Sequence, residues 1–257
     1  MTEPKEFAVK TARQAGQYLR NIFHHQHAIM YKGRINIVTE ADHGSENLII
    51  EAIRREFPDD DILTEESPGM DRGRSARWII DPLDGTTNYA HGFPIFCVSI
   101  ALEVGGIVQL GVVYQPMLDE MFVAERGGGT FQNGNPLQVS SISGLSASLL
   151  ATGFPYDIQE SEQNNIRYFN TMVVQAQAVR RAGSAALDMA YVAAGRFDGF
   201  WELKLMPWDT AAGVLLIQEA GGTVTDIVGR PYHLGGPDVL ASNGLIHQQM
   251  IDALKAV

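Results

Sequence analysis

Apolar residues recur near the start of the chain at Ala8, Ala12, Ala15, Leu19 and Ile22. Steps of four, three, four and three put them on one face of a helix. The histidines His24, His25 and His27 follow at its end. Helix C-termini favour such side chains and no acid adjoins them, so they read as a solvated helix end rather than a metal site. After a loop over residues 31–36, Ile37-Val38-Thr39 leads into a second helix with Leu48, Ile49, Ala52, Ile53 and Phe57 apolar, stopped by Pro58. Thr39-x-x-Asp42 has the form of a capping box. Asp59-Asp60-Asp61 reads as a solvated turn, Ile62-Leu63-Thr64 as a short strand ending in Glu65-Glu66-Ser67, and residues 68–75 as a loop.

The run Trp78-Ile79-Ile80 predicts a buried strand that ends at Asp81, because Pro82 cannot donate to a central ladder. Two long apolar runs, 95–104 and 107–114, are joined by Gly105-Gly106, a two-residue hairpin turn. Met121-Phe122-Val123-Ala124 and the turn Asn133-Gly134 continue this series, which predicts an antiparallel sheet. Arg126-Gly127-Gly128-Gly129-Thr130 lacks the context of a nucleotide-binding loop and reads as a strand connection. Past a Ser- and Gly-containing seam, 140–148, the pattern turns to alternating strand and helix. Strands are predicted at 149–152, 197–202, 223–226 and 238–242. Helices are predicted at 162–177, after Ser184 to Gly195, at 209–220 and at 245–255. The whole chain, 1–257, reads as one unit with an N-terminal half, 1–141, and a C-terminal half, 142–257.

Composition narrows the function. No run of about 18 apolar residues occurs, so no membrane span is expected. The polar start of the chain lacks the core of a signal peptide. The single cysteine, Cys97, lies among Phe96, Val98 and Ile100 and reads as a buried, inert thiol. A reducing cytoplasm fits this usage. The net charge is −11 and no Lys/Arg-rich block occurs, which argues against nucleic-acid binding. An acidic protein that handles an anionic substrate needs cations in its site, and metal ions provide them.

The stretch Asp81-Pro82-Leu83-Asp84-Gly85-Thr86-Thr87-Asn88 carries the candidate chemistry. Two carboxylates at a strand end and the Leu83 carbonyl between them are oxygen ligands of the kind Mg²⁺ prefers. Gly85-Thr86-Thr87 offers N–H groups and hydroxyls to a phosphate. Taken singly, each acid has a plain structural role. Asp81 and Asp84 can cap a turn, Asp42 can cap a helix, Asp209 can be the N-cap after Pro207-Trp208, and Glu202 can be a surface acid at a strand end. Together Asp42, Glu65, Asp81, Asp84 and Asp209 stand at element ends and can form a site for two Mg²⁺ ions about 4 Å apart.

These motifs resemble the inositol monophosphatase family, bacterial type. The match is carried in order by Ile37-Val38-Thr39-x-x-Asp42, Glu65-Glu66-Ser67, the Asp81–Asn88 stretch, Arg181-x-Gly183-Ser184-Ala185-Ala186 and Trp208-Asp209-x-Ala211-Ala212-Gly213 running into Glu219-Ala220-Gly221-Gly222. The resemblance implies an α/β fold of α+β kind, a layered αβαβα sandwich of the inositol monophosphatase and fructose-1,6-bisphosphatase type. It implies a Mg²⁺-dependent phosphomonoesterase, usually a homodimer and sensitive to lithium. Glu65, Asp81, the Leu83 carbonyl and Asp84 match ligands of a first metal; Asp81, Asp84 and Asp209 match those of a second. Glu65 also matches a ligand of a weak third ion. Asp42 and Thr86 match the pair that orients the attacking water, with Glu65 beside them. Gly85, Thr86 and Thr87 match the phosphate cradle, and Gly183, Ser184, Ala185 and Glu202 match residues around the polyol. The sequence departs from the family pattern at Asn36, where many members carry Asp, so the third site and lithium sensitivity are less directly implied. The leading expectation is hydrolysis of inositol-1-phosphate by direct water attack. A related sugar phosphatase, such as a fructose-1,6-bisphosphatase, or a broad-specificity enzyme is the alternative, with Arg180, Arg181 or Lys204 available to a second phosphate. An inactive regulatory protein is disfavoured because every acid of the set is present.

Overall fold

Trp78-Ile79-Ile80 alternates its side chains between two helical layers. Trp78 and Ile80 pack with one cluster of apolar side chains and Ile79 with another. The computed structural model describes residues 3–24, 29–31, 36–67, 69 and 72–256. The strand carrying this run, β4 (Ala76–Asp84), belongs to a seven-stranded sheet. That sheet also contains β3 (Asp61–Thr64), β5 (Cys97–Val104), β6 (Ile107–Gln115), β7 (Glu120–Glu125), β8 (Gly129–Gln132) and β9 (Asn135–Pro136), in sequence order. Only β3 and β4 pair in parallel; the rest is a meander. The meander follows from its turns: Gly105 and Gly106 both have positive φ, 60° and 80°, which the two-residue connection of β5 to β6 requires.

Every central strand of this sheet is covered on both faces. Val98, Ile100 and Leu102 of β5 lie with α1 (Pro4–Ile22) and α2 (Glu40–Glu56), while Cys97 and Ala101 lie on the opposite side with α5 (Ala185–Ala193) and α6 (Pro207–Glu219). Burial on both faces explains why the strands read as continuous apolar runs although they are antiparallel. The predicted face of α1 is the one buried, with Ala8, Ala12, Ala15 and Leu19 sealed from solvent. Each large side chain removed from water in this way contributes about 1.5–3 kcal/mol.

The second sheet has five strands in the order β11 (Ala178–Arg180), β10 (Leu149–Thr152), β12 (Gly199–Leu203), β14 (Asp238–Ser242) and β13 (Thr223–Thr225). Phe200, Val239 and Ala241 face α5 and α6. Trp201, Leu150 and Leu240 face the opposite way, toward α4 (Ile166–Val173) and α7 (His247–Lys255). The layers therefore run α1/α2, seven strands, α5/α6, five strands, α4/α7, an αβαβα sandwich. A two-stranded ladder of β1 (Ile29–Tyr31) and β2 (Ile37–Thr39) precedes α2.

Several expectations are corrected. Strand β4 does not stop at Asp81. It pairs again at Asp84, with a register shift between the two acids where Pro82 has no ladder bond to supply. Asp59-Asp60-Asp61 is not simply a solvated turn. Asp61 is buried in β3 and accepts from the Arg72 and Arg74 N–H groups, while Asp60 accepts from the Trp78 indole. Tyr31 lies in β1 rather than in a loop. The helix expected at 162–177 spans only Ile166–Val173, because the chain must reach β11 at Ala178. His25, Gln26, His27, residues 32–35 and the loop residues 68, 70 and 71 lie outside the described residues; His24 is exposed.

Candidate active site

The two central helices α5 and α6 and the short helix α3 (Thr86–Ala90) all begin beside the C-terminal end of β4. Carboxylate oxygens of Asp81, Asp84 and Asp209 lie there within 4.8 Å of one another. The shift in β4 register produces half of this arrangement. It frees the chain from Pro82 to Leu83 from the ladder, so acids three residues apart aim at one place. The Leu83 N–H donates to Asp81 Oδ1 at 3.0 Å, and Ser45 holds the Pro82 carbonyl at 2.7 Å. Asp84 Oδ2 accepts from Ser184 Oγ at 2.7 Å and from the Ala186 N–H at 2.8 Å, so it caps α5 from another part of the chain. Asp209 is not the N-cap of α6. Met206 is, and Asp209, at the third helical position, accepts from the Met206 N–H at 2.6 Å. That bond fixes its carboxylate at the helix start, where the dipole favours negative charge.

A second set of bonds comes from α2. Asp42 is fully buried and closes a capping box with Thr39, as its spacing predicts. Its other oxygen, Oδ1, accepts from Thr86 Oγ1 at 2.8 Å. Thr86 Oγ1 also lies 3.0 Å from the Leu83 carbonyl. One turn further along α2, Glu46 Oε1 accepts from Thr64 Oγ1 at 2.6 Å and from the Glu66 and Ser67 N–H groups at 3.1 Å each. This buried acid orients the segment that carries Glu65. Asn88 Nδ2 donates to Ile95 O at 2.7 Å and Ala182 O at 2.8 Å, tying the start of α3 to the segment before α5.

The electrostatics are unfavourable for carboxylates alone. Burial, then the charges of Glu65, Asp84 and Asp209, pushes Asp81 well above the usual carboxylate range. Burial and the Asp84 charge do the same to Asp209. Asp84 is raised by burial and partly relieved by its bonds to Ser184 and Ala186. Glu65 stands outside the closest group of three acids, although it lines the same cleft and acts on Asp81. Three clustered oxygen donors with a fourth acid nearby fit a hard divalent cation, which would cancel this repulsion.

A cleft of about 300 Å³ extends from the acids. Gly85, Thr86 and Thr87 line one side, and Gly183, Ser184 and Ala185 at the start of α5 line another. Gly85 has φ of 101°, and a Cβ there would meet the Ile95 carbonyl at 3.0 Å, so only glycine serves as the hinge between β4 and α3. Glu202, Arg181, Gly153 and Asp188 also line it. Glu202 is buried rather than a surface acid, and a Cβ on Gly153 would overlap its carboxylate. Lys204 lines the cleft, but its Nζ is held by Asp157 at 2.6 Å. Cys97 is buried beside Asp84, and burial first, then that charge, pushes its thiol up, as an inert thiol requires. Asp188 was not anticipated. Its signal was a single acid in the otherwise apolar run Ala185–Ala193.

Seven- and five-stranded sheets enclose two central helices, and the clustered acids stand where those helices begin. A profile of the inositol monophosphatase family matches residues 1–257. An inositol-1-monophosphatase of Synechocystis sp. is 44% identical over 253 residues, 98% of this chain and 88% of that protein. The Nus factor SuhB of Escherichia coli K12 is 41% identical over 247 residues, 95% of this chain and 92% of that protein. Among solved structures, an inositol monophosphatase from Anabaena superposes with a TM-score of 0.91 at 45% identity, covering 98% of this chain and 95% of that one. The chain belongs to the inositol monophosphatase family, whose members hydrolyse phosphate monoesters and depend on metal. Among the described residues no helix is long and apolar enough to cross a membrane.

Proposed function

We propose that this protein is a Mg²⁺-dependent phosphatase that converts inositol-1-phosphate to inositol and phosphate in the cytoplasm, as a homodimer. The observation that carries the reading is the meeting of Asp81, Asp84 and Asp209 within 4.8 Å beside the Thr86–Asp42 pair. Asp81, Asp84 and Asp209, with Glu65 and the Leu83 carbonyl, are the residues to hold two cations, with a weak third site at Glu65. Bound there, Mg²⁺ supplies Lewis acidity and cancels the charge that phosphate and carboxylates bring together.

The remaining work falls to side chains. The Thr86 hydroxyl directs its proton to Asp42, which leaves its lone pairs free to accept a proton from water. Asp42, raised above the usual carboxylate range by burial, is suited to take the proton that Thr86 gives up. In this reading water attacks phosphorus directly and no phosphoenzyme forms, with which a buried, inert Cys97 is consistent. Gly85, Thr86 and Thr87 hold the phosphate. Ser184, Ala185 and Glu202 border the alcohol portion. Lithium inhibition follows if the third site keeps its affinity with Asn36 in place of an acid.

Phosphate release with Mg²⁺ from inositol-1-phosphate, fructose-1,6-bisphosphate, adenosine 3′,5′-bisphosphate and NADP tests this. The expected order puts inositol-1-phosphate first by kcat/KM. A preference for fructose-1,6-bisphosphate would replace the reading with the sugar-phosphatase alternative. A second reading comes from relatives named Nus factor SuhB at 41% identity. It adds a protein partner without displacing catalysis, since all the acids of the hydrolytic set are present.

A further inference from the structure

Lys204 follows β12 directly, and its backbone has φ of 60°. Among the described residues, the other non-glycine positions with positive φ are Asp119, Asn133 and Asn165, whose short polar side chains enter this region readily. A lysine has no such local advantage, and an outlier of this kind points to a use for the side chain it places. The Lys204 N–H donates to the Pro237 carbonyl at 2.7 Å, which fixes the backbone. Its ammonium donates to Asp157 Oδ2 at 2.6 Å and to Ser161 Oγ at 2.8 Å.

Both partners belong to one stretch, residues 155–163, between β10 and α4. That stretch is a series of turns bonded to themselves. The Ile158 N–H donates to the Pro155 carbonyl at 3.0 Å, and the Glu160 and Ser161 N–H groups donate to the Asp157 carbonyl at 2.9 Å each. Among the described residues, its hydrogen bonds and ion pairs with the rest of the chain come from Lys204 and from the adjoining Asn164, whose amide reaches the Ile158 carbonyl at 3.5 Å. Just before it, Phe154 rests on Phe169 of α4, with ring centroids 5.6 Å apart. Tyr156, next to Asp157, lines the cleft with Pro155 and is 55% exposed. The lysine that reaches the cleft is thus engaged by the stretch that forms one of its walls.

We infer that Lys204 is a positioning residue: through Asp157 and Ser161 it latches the 155–163 stretch and so sets Tyr156 as a wall of the cleft against the bound ester. The inference rests on the phosphatase reading above and adds to it the side chain that holds the cleft closed. A ring half in water gains by burial against a ligand, so the ester binds better with Tyr156 in place. Losing the latch lowers the fraction of molecules with the ring in place, and apparent affinity falls with that fraction. Lys204 and Asp157 keep 31% and 45% of their side-chain surface in solvent. A pair this exposed shifts such a fraction by at most about fivefold, and salt weakens it.

Steady-state phosphate release from inositol-1-phosphate with Mg²⁺ tests this in Lys204→Met, Lys204→Arg, Asp157→Asn, Tyr156→Ala and the double variant Tyr156→Ala/Lys204→Met. Lys204→Met and Asp157→Asn should each raise KM by about three- to fivefold with kcat within about twofold, and Lys204→Arg should stay near the wild type. In the Tyr156→Ala background, Lys204→Met should raise KM no further, because the ring it positions is gone. Added NaCl should raise KM more in the wild type than in Lys204→Met. Amide hydrogen exchange over residues 155–163 should be faster in Lys204→Met than in the wild type. An unchanged KM in Lys204→Met, or additive KM effects in the double variant, would overturn the inference while leaving the phosphatase reading intact. A lower KM for fructose-1,6-bisphosphate in Asp157→Asn would assign the freed Lys204 to the substrate itself and overturn it as well. A wild type that releases phosphate from no ester would overturn the phosphatase reading, and this inference with it.

Discussion

The Thr86 hydroxyl reaches Asp42 Oδ1 at 2.8 Å, joining the start of α3 to the first turn of α2 across 44 residues of chain. Asp42 is held from its other side by Thr39, whose N–H and hydroxyl both donate to Oδ2, at 2.8 and 2.7 Å. A cap that any helix could use is thus also the fixed support of a hydroxyl in the cleft. Thr86→Val keeps the side chain's shape and removes the hydroxyl. It should lower kcat by about 10²–10⁴ with little change in KM, and Thr86→Ser should recover most of the loss. Steady-state phosphate release measures both; near-normal turnover in the valine variant would remove Thr86 from the proton path.

Glu46 supports the opposite side of the cluster. Glu46→Ala strips acceptors from Thr64, Glu66 and Ser67 together and should destabilise the protein by about 2–3 kcal/mol in urea unfolding. It should also raise the Mg²⁺ concentration needed for half-maximal activity. Glu46→Gln keeps an oxygen for the same donors, so its Mg²⁺ response should stay near that of the wild type. Indistinguishable Mg²⁺ responses in the alanine variant and wild type would confine Glu46 to a structural role.

Much of this architecture was legible because its signals are local. The Gly105-Gly106 turn, the capping box at Thr39 and Asp42, and the apolar face of α1 each state their structure within a few residues. The acid set was legible through motif order. What escaped depended on distant partners. No local pattern says that Asp61 will be buried under the Arg72 and Arg74 N–H groups, or that Asp84 will cap a helix starting 101 residues later, at Ala185. A proline removes a ladder bond, so from sequence Pro82 predicts that β4 ends at Asp81. The strand instead accommodates it with a register shift, and that irregularity is what brings Asp81 and Asp84 together. Asp188 was missed because one acid in an alanine-rich helix resembles a solvated position until packing encloses it.

His247 sets an acid limit to stability. Its Nδ1 lies 2.9 Å from Ser242 Oγ and its Nε2 lies 2.9 Å from Thr225 Oγ1, and burial lowers its pKa from 6.5 to about 4. The unfolded chain therefore takes up a proton below pH 6.5 that the folded ring refuses. The stability from neutral His247 is fully present above that pH and is lost as pH falls toward 4. Allowing for partial access of water to the ring, the loss should be about 2 kcal/mol. Urea unfolding between pH 7 and 4 should show this slope in the wild type and a shallower one in His247→Gln. Parallel slopes would assign the acid sensitivity to other groups.

The central claim is that Asp81, Asp84 and Asp209 form a cation site. Isothermal titration of metal-free protein with Mg²⁺, for the wild type and Asp84→Asn, tests it most directly. The account predicts saturable binding of two ions per chain in the wild type. It predicts none of comparable affinity in Asp84→Asn, whose metal-free form should melt no lower because one repelling charge is gone. Undiminished Mg²⁺ binding by a folded Asp84→Asn protein would contradict it.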